Sequence, residues 1–485
     1  MSGDARTEAL HAAFAAIRRE LRVPLAFPPE VEREAFAAAQ SSADPEPSRR
    51  DCTDLPFFTI DPVGSMDLDQ AVCLERTGPA MGGRGRTGFR LRYAIADVPR
   101  FVAPGGAVDL EARRRGVTVY LPDARVPLHP PVLSEAAASL LPGRDRPAYV
   151  WDLTLDADAA PVTAAVYPAT VRSRARLDYD GAQADLDAGR GDPALVTLAE
   201  FGRLRAEAEL ARGGASLPKP EQEVVADESG YRLRFRPMVP LMDDNAQVSL
   251  LTGMTAARMM LDGGVGILRT MPAPPEDVIA HFRRQAQALG VPWPQDVAYG
   301  AFLRTLDRKD PVHLAVIHAA TKLFRGAGYA AFGDAVGAPP ERAGHAAVAA
   351  PYGHVTAPLR RLVDRFGLVV CAALCAGTPI PEWVMRALPT LPEVMRQRDQ
   401  VAGSVERAST DAVEAAVLSD RVGETFIVTV VDARPPDLRV QLTDPAVEAP
   451  CTGSAEPGRR IEARLAEADL ARRSVRFAAT GESGG

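Results

Sequence analysis

At 485 residues the chain is several times longer than a typical domain of about 100 to 200 residues, which predicts two to four domains rather than one compact unit. Its composition, 46% hydrophobic and 25% charged, excludes disorder as a global description, and no run approaches the ~18 apolar residues that cross a bilayer. A net charge of −7 does not by itself point to a polyanion binder; only local arginine clusters at 84–92, 113–115, 172–176 and 360–365 keep that class open, against the plainer reading of each as a solvated face.

Residues 7–22 and 29–40 read as two short amphipathic helices, broken at Pro24, with Pro28-Pro29 suited to the second start. This segment lacks the apolar block of a signal peptide, so a cytoplasmic protein without membrane association is expected. The polar stretch 41–50 is a linker candidate. From 57 to 155 short runs rich in β-formers, FFTI, FRLRYAIADV, VTVYLP and YVWDLTL, alternate with Gly, Pro and Asp and predict sheet. Helical periodicity follows at 180–212, 244–262, 274–289, 311–325 and 359–376, then in a charged stretch from 391 to 419. Five short strands close the sequence and predict a small antiparallel barrel of the OB type, with a sandwich fragment as the alternative. The fold class is therefore α+β, in three parts: a helical module over 1–50, a mixed domain with trailing helices over 54–420, and a barrel over 421–480.

The five cysteines form no Cys-x-x-Cys pair, and Cys371 and Cys375 read as core thiols in an apolar helix. Gly263 to Gly266 follows a helix and precedes a strand, the reverse of a dinucleotide fingerprint, so no nucleotide cofactor is expected. His313 and His318 do not share a helix face, His345 and His354 flank a loop, and all four read as structural. Ser134, Ser139 and Ser404 lack the setting of a nucleophilic serine.

The chemistry concentrates in TIDPVGSMDLDQAV. Asp61, Asp67 and Asp69 fall within nine residues; strand alternation points Asp67 and Asp69 the same way, and a turn through Pro62 and Gly64 brings Asp61 back toward them. Three converging carboxylates repel unless a cation offsets them, and magnesium with oxygen ligands suits such a set. An acidic surface turn or a structural calcium loop satisfies the same spacing.

This segment resembles the acidic signature of the RNB family, the ribonuclease II and ribonuclease R exoribonucleases. YAIADVPRFVAPGGAVDLEARRRGVTVYLPD, VPLHPPVLSEAAASLLPGRDR, VRSRARLDYD and YGHVTAPLRRLVDR follow in family order, so the resemblance covers roughly residues 54–376. It implies an RNB catalytic domain followed by an S1-like barrel, and a monomeric, magnesium-dependent enzyme that hydrolyses single-stranded RNA from its 3′ end into nucleoside 5′-monophosphates. It implies that Asp61 is a metal ligand, that Asp67 belongs to the same acidic set, and that Asp69 is essential for cleavage. The fourth acidic position holds Gln70 where the family usually has aspartate; an amide oxygen can ligate a metal but brings no charge. Arg360 in TAPLRR falls on the catalytic arginine, and Arg361 reads as structural or phosphate-contacting. Tyr179 and the Asp243-Asp244 pair match residues that read the 2′-hydroxyl, the latter with Asp244 as the carboxylate, while Tyr120 and Glu406 match residues that hold the last nucleotides. The helical module over 1–50 is too short for the cold-shock barrels of longer members and suggests a helix-turn-helix-like RNA contact. Two rivals stand beside this reading: an RNB-fold RNA-binding protein of weak or no activity because of Gln70, and a metal-dependent hydrolase of another phosphoester.

Overall fold

The computed structural model describes residues 3–41, 49–78, 87–217, 219–227, 230–236, 239–434 and 437–480. The linker candidate 41–50 and two arginines of the 84–92 cluster, Arg84 and Arg86, fall largely or wholly outside that set.

Helices α1 (Gly3–Glu20) and α2 (Pro29–Ser41) open the chain, α1 starting four residues before its periodicity predicts. Leu10, Phe14 and Ile17 lie on one face at helical spacing and are fully buried. That face packs on the long late helix α12 (Leu391–Leu418), and α2 packs on α3 (Ala107–Arg115). Arg18 of α1 holds Asp123 at 2.8 Å. Glu34 of α2 accepts the N–H groups of Ala107 and Val108 at 2.6 and 3.2 Å, satisfying orphan donors at the start of α3. The segment expected to be helical thus consists of two helices that pack on α12 and α3.

Strands β1 (Arg50–Asp61), β2 (Gln70–Arg76) and β3 (Phe89–Ala96) come next, and the hairpin β4 (Val119–Tyr120) with β5 (Arg125–Val126) lies before β6 (Asp145–Leu155) and β7 (Pro161–Asp178). The five long strands close into a barrel in the order β1-β2-β3-β6-β7. Sequential neighbours pair antiparallel, and β1 closes on β7 in parallel, with Asp61 opposite Asp178. Alternation along each strand puts Phe58, Ile60, Val72, Leu91 and Trp151 into one buried core shared with side chains of the helices that follow, such as Phe201 and Val248.

The helical run expected over 180–212 divides into α4 (Tyr179–Asp187) and α5 (Pro193–Ala211). Gly189 at φ +69° turns the chain, and Asp192 caps the second start by accepting from Ala194 N–H at 2.8 Å. A hairpin of β8 (Gln222–Asp227) and β9 (Gly230–Phe235) leads into α6 (Pro240–Asp262), which begins at its proline and packs on α5. The paired strands β10 (Gly266–Thr270) and β11 (Gly328–Phe332) bracket α7 (Glu276–Ala288), α8 (Tyr299–Arg304) and α9 (Pro311–Ala320), which enclose a satellite core around Phe282, Trp293 and Phe302. The short pair β12 (Gly344–His345) and β13 (Ala350–Pro351) precedes α10 (Leu362–Ala376), and α11 (Glu382–Ala387) precedes α12. Cys371 is buried in α10, but Cys375 in its last turn is exposed, a correction to its reading as a core thiol.

The chain ends in β14 (Thr425–Arg434), β15 (Asp437–Leu442), β16 (Val447–Thr452), β17 (Arg460–Asp469) and β18 (Ser474–Ala479), closed in the order β14-β15-β16-β18-β17. This is the five-stranded OB arrangement, and closure excludes the sandwich fragment. The barrel is not wholly antiparallel, because β16 and β18 pair in parallel.

Candidate active site

The parallel closure of the first barrel builds the site. Because β1 and β7 run side by side, their ends bring Asp61 next to Asp178, and Tyr179 follows at once as the first residue of α4. Two sequence motifs more than a hundred residues apart thereby share one end of the barrel.

From Asp61 the chain turns, with Gly64 at φ +85° and Ser65 N–H donating to Pro62 C=O at 3.1 Å. Leu68 anchors the loop in the core. Ser139 pins it from outside, accepting Leu68 N–H at 2.9 Å and donating to Met66 C=O at 2.6 Å, a structural role that accounts for this serine. Leu68 therefore points inward, and the alternation puts Asp67 and Asp69 on the other side of the backbone.

Asp69 is 5% exposed. One carboxylate oxygen accepts Leu359 N–H at 2.7 Å, and the other lies 3.5 Å from Nε of Arg360. Burial pushes its pKa up to about 8, against the pull of Arg360 and of the Leu359 N–H. Burial likewise lifts Asp61 to about 6, with Arg360 opposing and Asp67 adding to the shift. Asp67 pairs instead with Arg125 of β5, which also holds Glu135. Sequence reading missed Arg125; its place two residues past a tight Leu-Pro-Asp turn, on a hairpin beside the acidic loop, is evident only once β4 and β5 pair.

Arg360 and Leu359 sit on the turn 356–361 ahead of α10. Backbone bonds stitch that turn to the chain entering β4: Thr118 N–H donates to Arg360 C=O at 2.9 Å and Leu362 N–H to Gly116 C=O at 2.9 Å. The Arg360 side chain is 49% exposed, so its guanidinium reaches both Asp69 and solvent. Tyr120, two residues beyond Thr118, is 54% exposed, and partial burial with Asp67 and Asp69 nearby raises its pKa to about 12 against the pull of Arg360. An exposed aromatic face thus stands beside the acidic cluster, where a base can stack.

The other expected RNA-binding residues have varied surroundings. Arg361 forms a two-pronged pair with buried Asp364, 2.9 Å on each arm, which fits the structural one of its two readings. Asp244 turns toward α5, where a Cβ on Gly202 would fall 2.1 Å from its Oδ1, and its pKa, raised to about 6 by burial and Asp243, feels no group of the acidic cluster. The residue that meets Tyr179 is Asn245, donating from Nδ2 to the tyrosine oxygen at 2.9 Å. Helical geometry explains the exchange: Asn245 and Ser249 are four apart and face the barrel end, whereas Asp244 and Gln247 face α5, Gln247 bonding Glu209. Glu406 is exposed on α12 and makes no hydrogen bond or ion pair among the described residues.

Gln70 bonds within the protein. Its Nε2 donates to Thr356 C=O at 2.7 Å, and its Oε1 accepts from the Tyr93 hydroxyl at 2.5 Å, so both ends of the amide are committed within the protein. Nor do Asp61, Asp67 and Asp69 converge tightly: among the described residues no group of three acidic, histidine or cysteine side chains has the spacing of a metal cage. Their chemistry still suits a hard divalent ion. Burial disfavours the charged form of Asp61 and Asp69, as their raised pKa values show, a bound cation would favour it, and magnesium is commonly held by one or two carboxylates with water and substrate phosphate completing the shell.

Residues 49–370 match the RNB domain. The chain belongs to the RNB family. Residues 424–480 match the RNase II-type exonuclease C-terminal S1 domain, the second barrel of the RNB chain described above. Among curated relatives, Ribonuclease R of Thermotoga maritima is 25% identical over 460 residues, covering 89% of this RNB protein and 62% of the relative. The fold matches the Mycoplasma genitalium RNase R in complex with ribose methylated single-stranded RNA at a TM-score of 0.83, with 20% identity over 96% of this chain and 77% of that one. It also matches yeast Ssd1, a pseudonuclease, at a TM-score of 0.69 and 21% identity, over 86% and 52% of the two chains. The chain spans about half the length of the curated relatives it matches.

Proposed function

We propose that this RNB protein is a magnesium-dependent hydrolytic exoribonuclease that shortens single-stranded RNA from its 3′ end and releases nucleoside 5′-monophosphates. The observation that carries the reading is the setting of Asp69: a buried carboxylate aligned by Leu359 N–H, with the half-exposed Arg360 guanidinium beside it and the exposed Tyr120 ring at the rim. Tyr120 stacks on a terminal base and Tyr179, set by Asn245, lies against the sugar. Asp69 accepts a hydrogen bond from the attacking water and so fixes its line of approach. As the water oxygen bonds to phosphorus and gives a proton to Asp69, the bond to the 3′-oxygen of the shortened chain breaks, Arg360 offsets the charge gained by the phosphoryl oxygens, and the leaving oxygen takes a proton from solvent. Asp61 and Asp69 would hold the divalent ion, which when bound orients water and offsets phosphate charge, with Asp67 kept beside them by Arg125.

Incubating end-labelled RNA with the protein, with and without magnesium, tests this; stepwise loss of 3′ nucleotides that requires the metal is the expected result. A second reading has one observation in its favour: with Gln70 turned to structural bonds, the site has three carboxylates, one already neutralised by Arg125. An RNA-binding protein that does not cleave would retain RNA in the same assay and leave it intact.

A further inference from the structure

Gln70 and Asp69 are consecutive, and they hold the two ends of one turn. Asp69 Oδ1 takes Leu359 N–H at 2.7 Å while Gln70 Nε2 gives a proton to Thr356 C=O at 2.7 Å. Arg360 is the next residue along. Behind Gln70 the network runs inward. Tyr93 of β3, fully buried, donates to Gln70 Oε1 at 2.5 Å, and its oxygen lies 2.9 Å from Ser249 Oγ on α6. With its proton directed at Gln70, Tyr93 accepts from Ser249, and the amide is thereby oriented with its nitrogen toward the turn. The chain Ser249, Tyr93, Gln70, Thr356 crosses from α6 through two barrel strands to the loop that presents Arg360.

We propose that Gln70 is a positioning residue for Arg360, setting the 356–361 turn against Asp69, and that position 70 is not a cation ligand. The inference rests on the exoribonuclease reading only for its kinetic consequence. An aspartate here is shorter by one methylene and at neutral pH can only accept, so it loses the bond to Thr356 C=O and sets a carboxylate against a carbonyl oxygen. A displacement of about 1 Å at a catalytic group can lower rates on the order of a hundredfold. The arginine's grip on developing charge belongs to the transition state, so the loss should fall on kcat rather than on KM.

The test uses the full-length protein and three variants, Gln70→Asp, Gln70→Met and Tyr93→Phe, each checked for an intact thermal unfolding transition. Manganese binding is measured directly by electron paramagnetic resonance, hydrogen–deuterium exchange is followed over residues 352–361, and RNA cleavage is resolved into kcat and KM. The expected result is manganese affinity within twofold of the parent in every variant, faster exchange of the turn in Gln70→Met and Gln70→Asp, and kcat lowered about tenfold or more with KM held; Tyr93→Phe, which frees the amide to rotate, gives a smaller shift in the same direction. Manganese binding tightened tenfold in Gln70→Asp or weakened in Gln70→Met would make position 70 a ligand and overturn the proposal, as would unchanged exchange in the turn. A parent protein silent on RNA would remove the nuclease reading alone, because binding and exchange still decide the role of Gln70.

Discussion

The backbone N–H of Leu359 lies 2.7 Å from Oδ1 of Asp69, across 290 residues of sequence. This bond joins the acidic loop after β1 to the arginine-bearing turn before α10, the two segments on which the proposed chemistry depends. Because a backbone donor makes it, the bond survives any side chain at 69 that still offers an acceptor.

Asp69→Asn should therefore leave the loop in place and lower cleavage by about a hundredfold or more, since the amide accepts Leu359 N–H but no longer takes a proton or offsets cationic charge. RNA binding should hold within a few-fold, because Tyr120 and the surface arginines are untouched. Gel-based cleavage beside filter binding measures both, and equal cleavage by variant and parent would remove Asp69 from the reaction.

A DNA strand of the same sequence should bind and resist shortening if Tyr179, oriented by Asn245, discriminates the sugar. Asn245→Ala should then narrow the RNA-to-DNA preference while Asp244→Ala does not, since Asp244 faces α5. Competition cleavage with matched RNA and DNA strands decides between the two residues.

Removing the exposed ring with Tyr120→Ala should weaken substrate engagement by about 5- to 150-fold, the worth of one stacked base, with thermal stability nearly unchanged at a half-exposed site. The readout is KM on a single-stranded RNA, and an unchanged KM would leave Tyr120 a rim residue.

The junction between α12 and the second barrel should be sensitive to pH. Glu414 accepts from Gln222 Nε2 at 2.6 Å and Glu448 N–H at 3.1 Å, and burial lifts its pKa to about 7 despite those bonds. An ordinary glutamate titrates near ~4.3, so between about pH 4.5 and 7 the folded state holds a proton that the unfolded chain has lost. Stability then falls as pH rises through that window, and the loss is complete above the folded pKa. Glu414→Gln, which keeps the acceptor and removes the charge, should raise the melting temperature by a few degrees at pH 8 and change it little at pH 5. Thermal melts of both proteins at the two pH values check this; a shift of equal size at both would refute the carboxyl as its source.

The sequence by itself determined most elements, the acidic segment and its family, and the terminal barrel, because period-2 and period-3.6 patterns and turn residues are local properties of the chain. Membership of the acidic segment followed from residue type and order alone. The uses of its members did not. Closure of the first barrel depends on pairing the first strand with the fifth, which no local pattern encodes, and that closure sets Asp61 beside Tyr179. Which face of α6 meets the site decided for Asn245 over Asp244, a difference of one residue, or about 100° around a helix. Two consecutive residues in one motif likewise part company: Asp69 takes Leu359 N–H beside the arginine, while Gln70 is drawn off by a tyrosine on β3 and a carbonyl 286 positions away. A side chain's donors and acceptors are fixed by its type, but the partners that use them are brought in by tertiary structure.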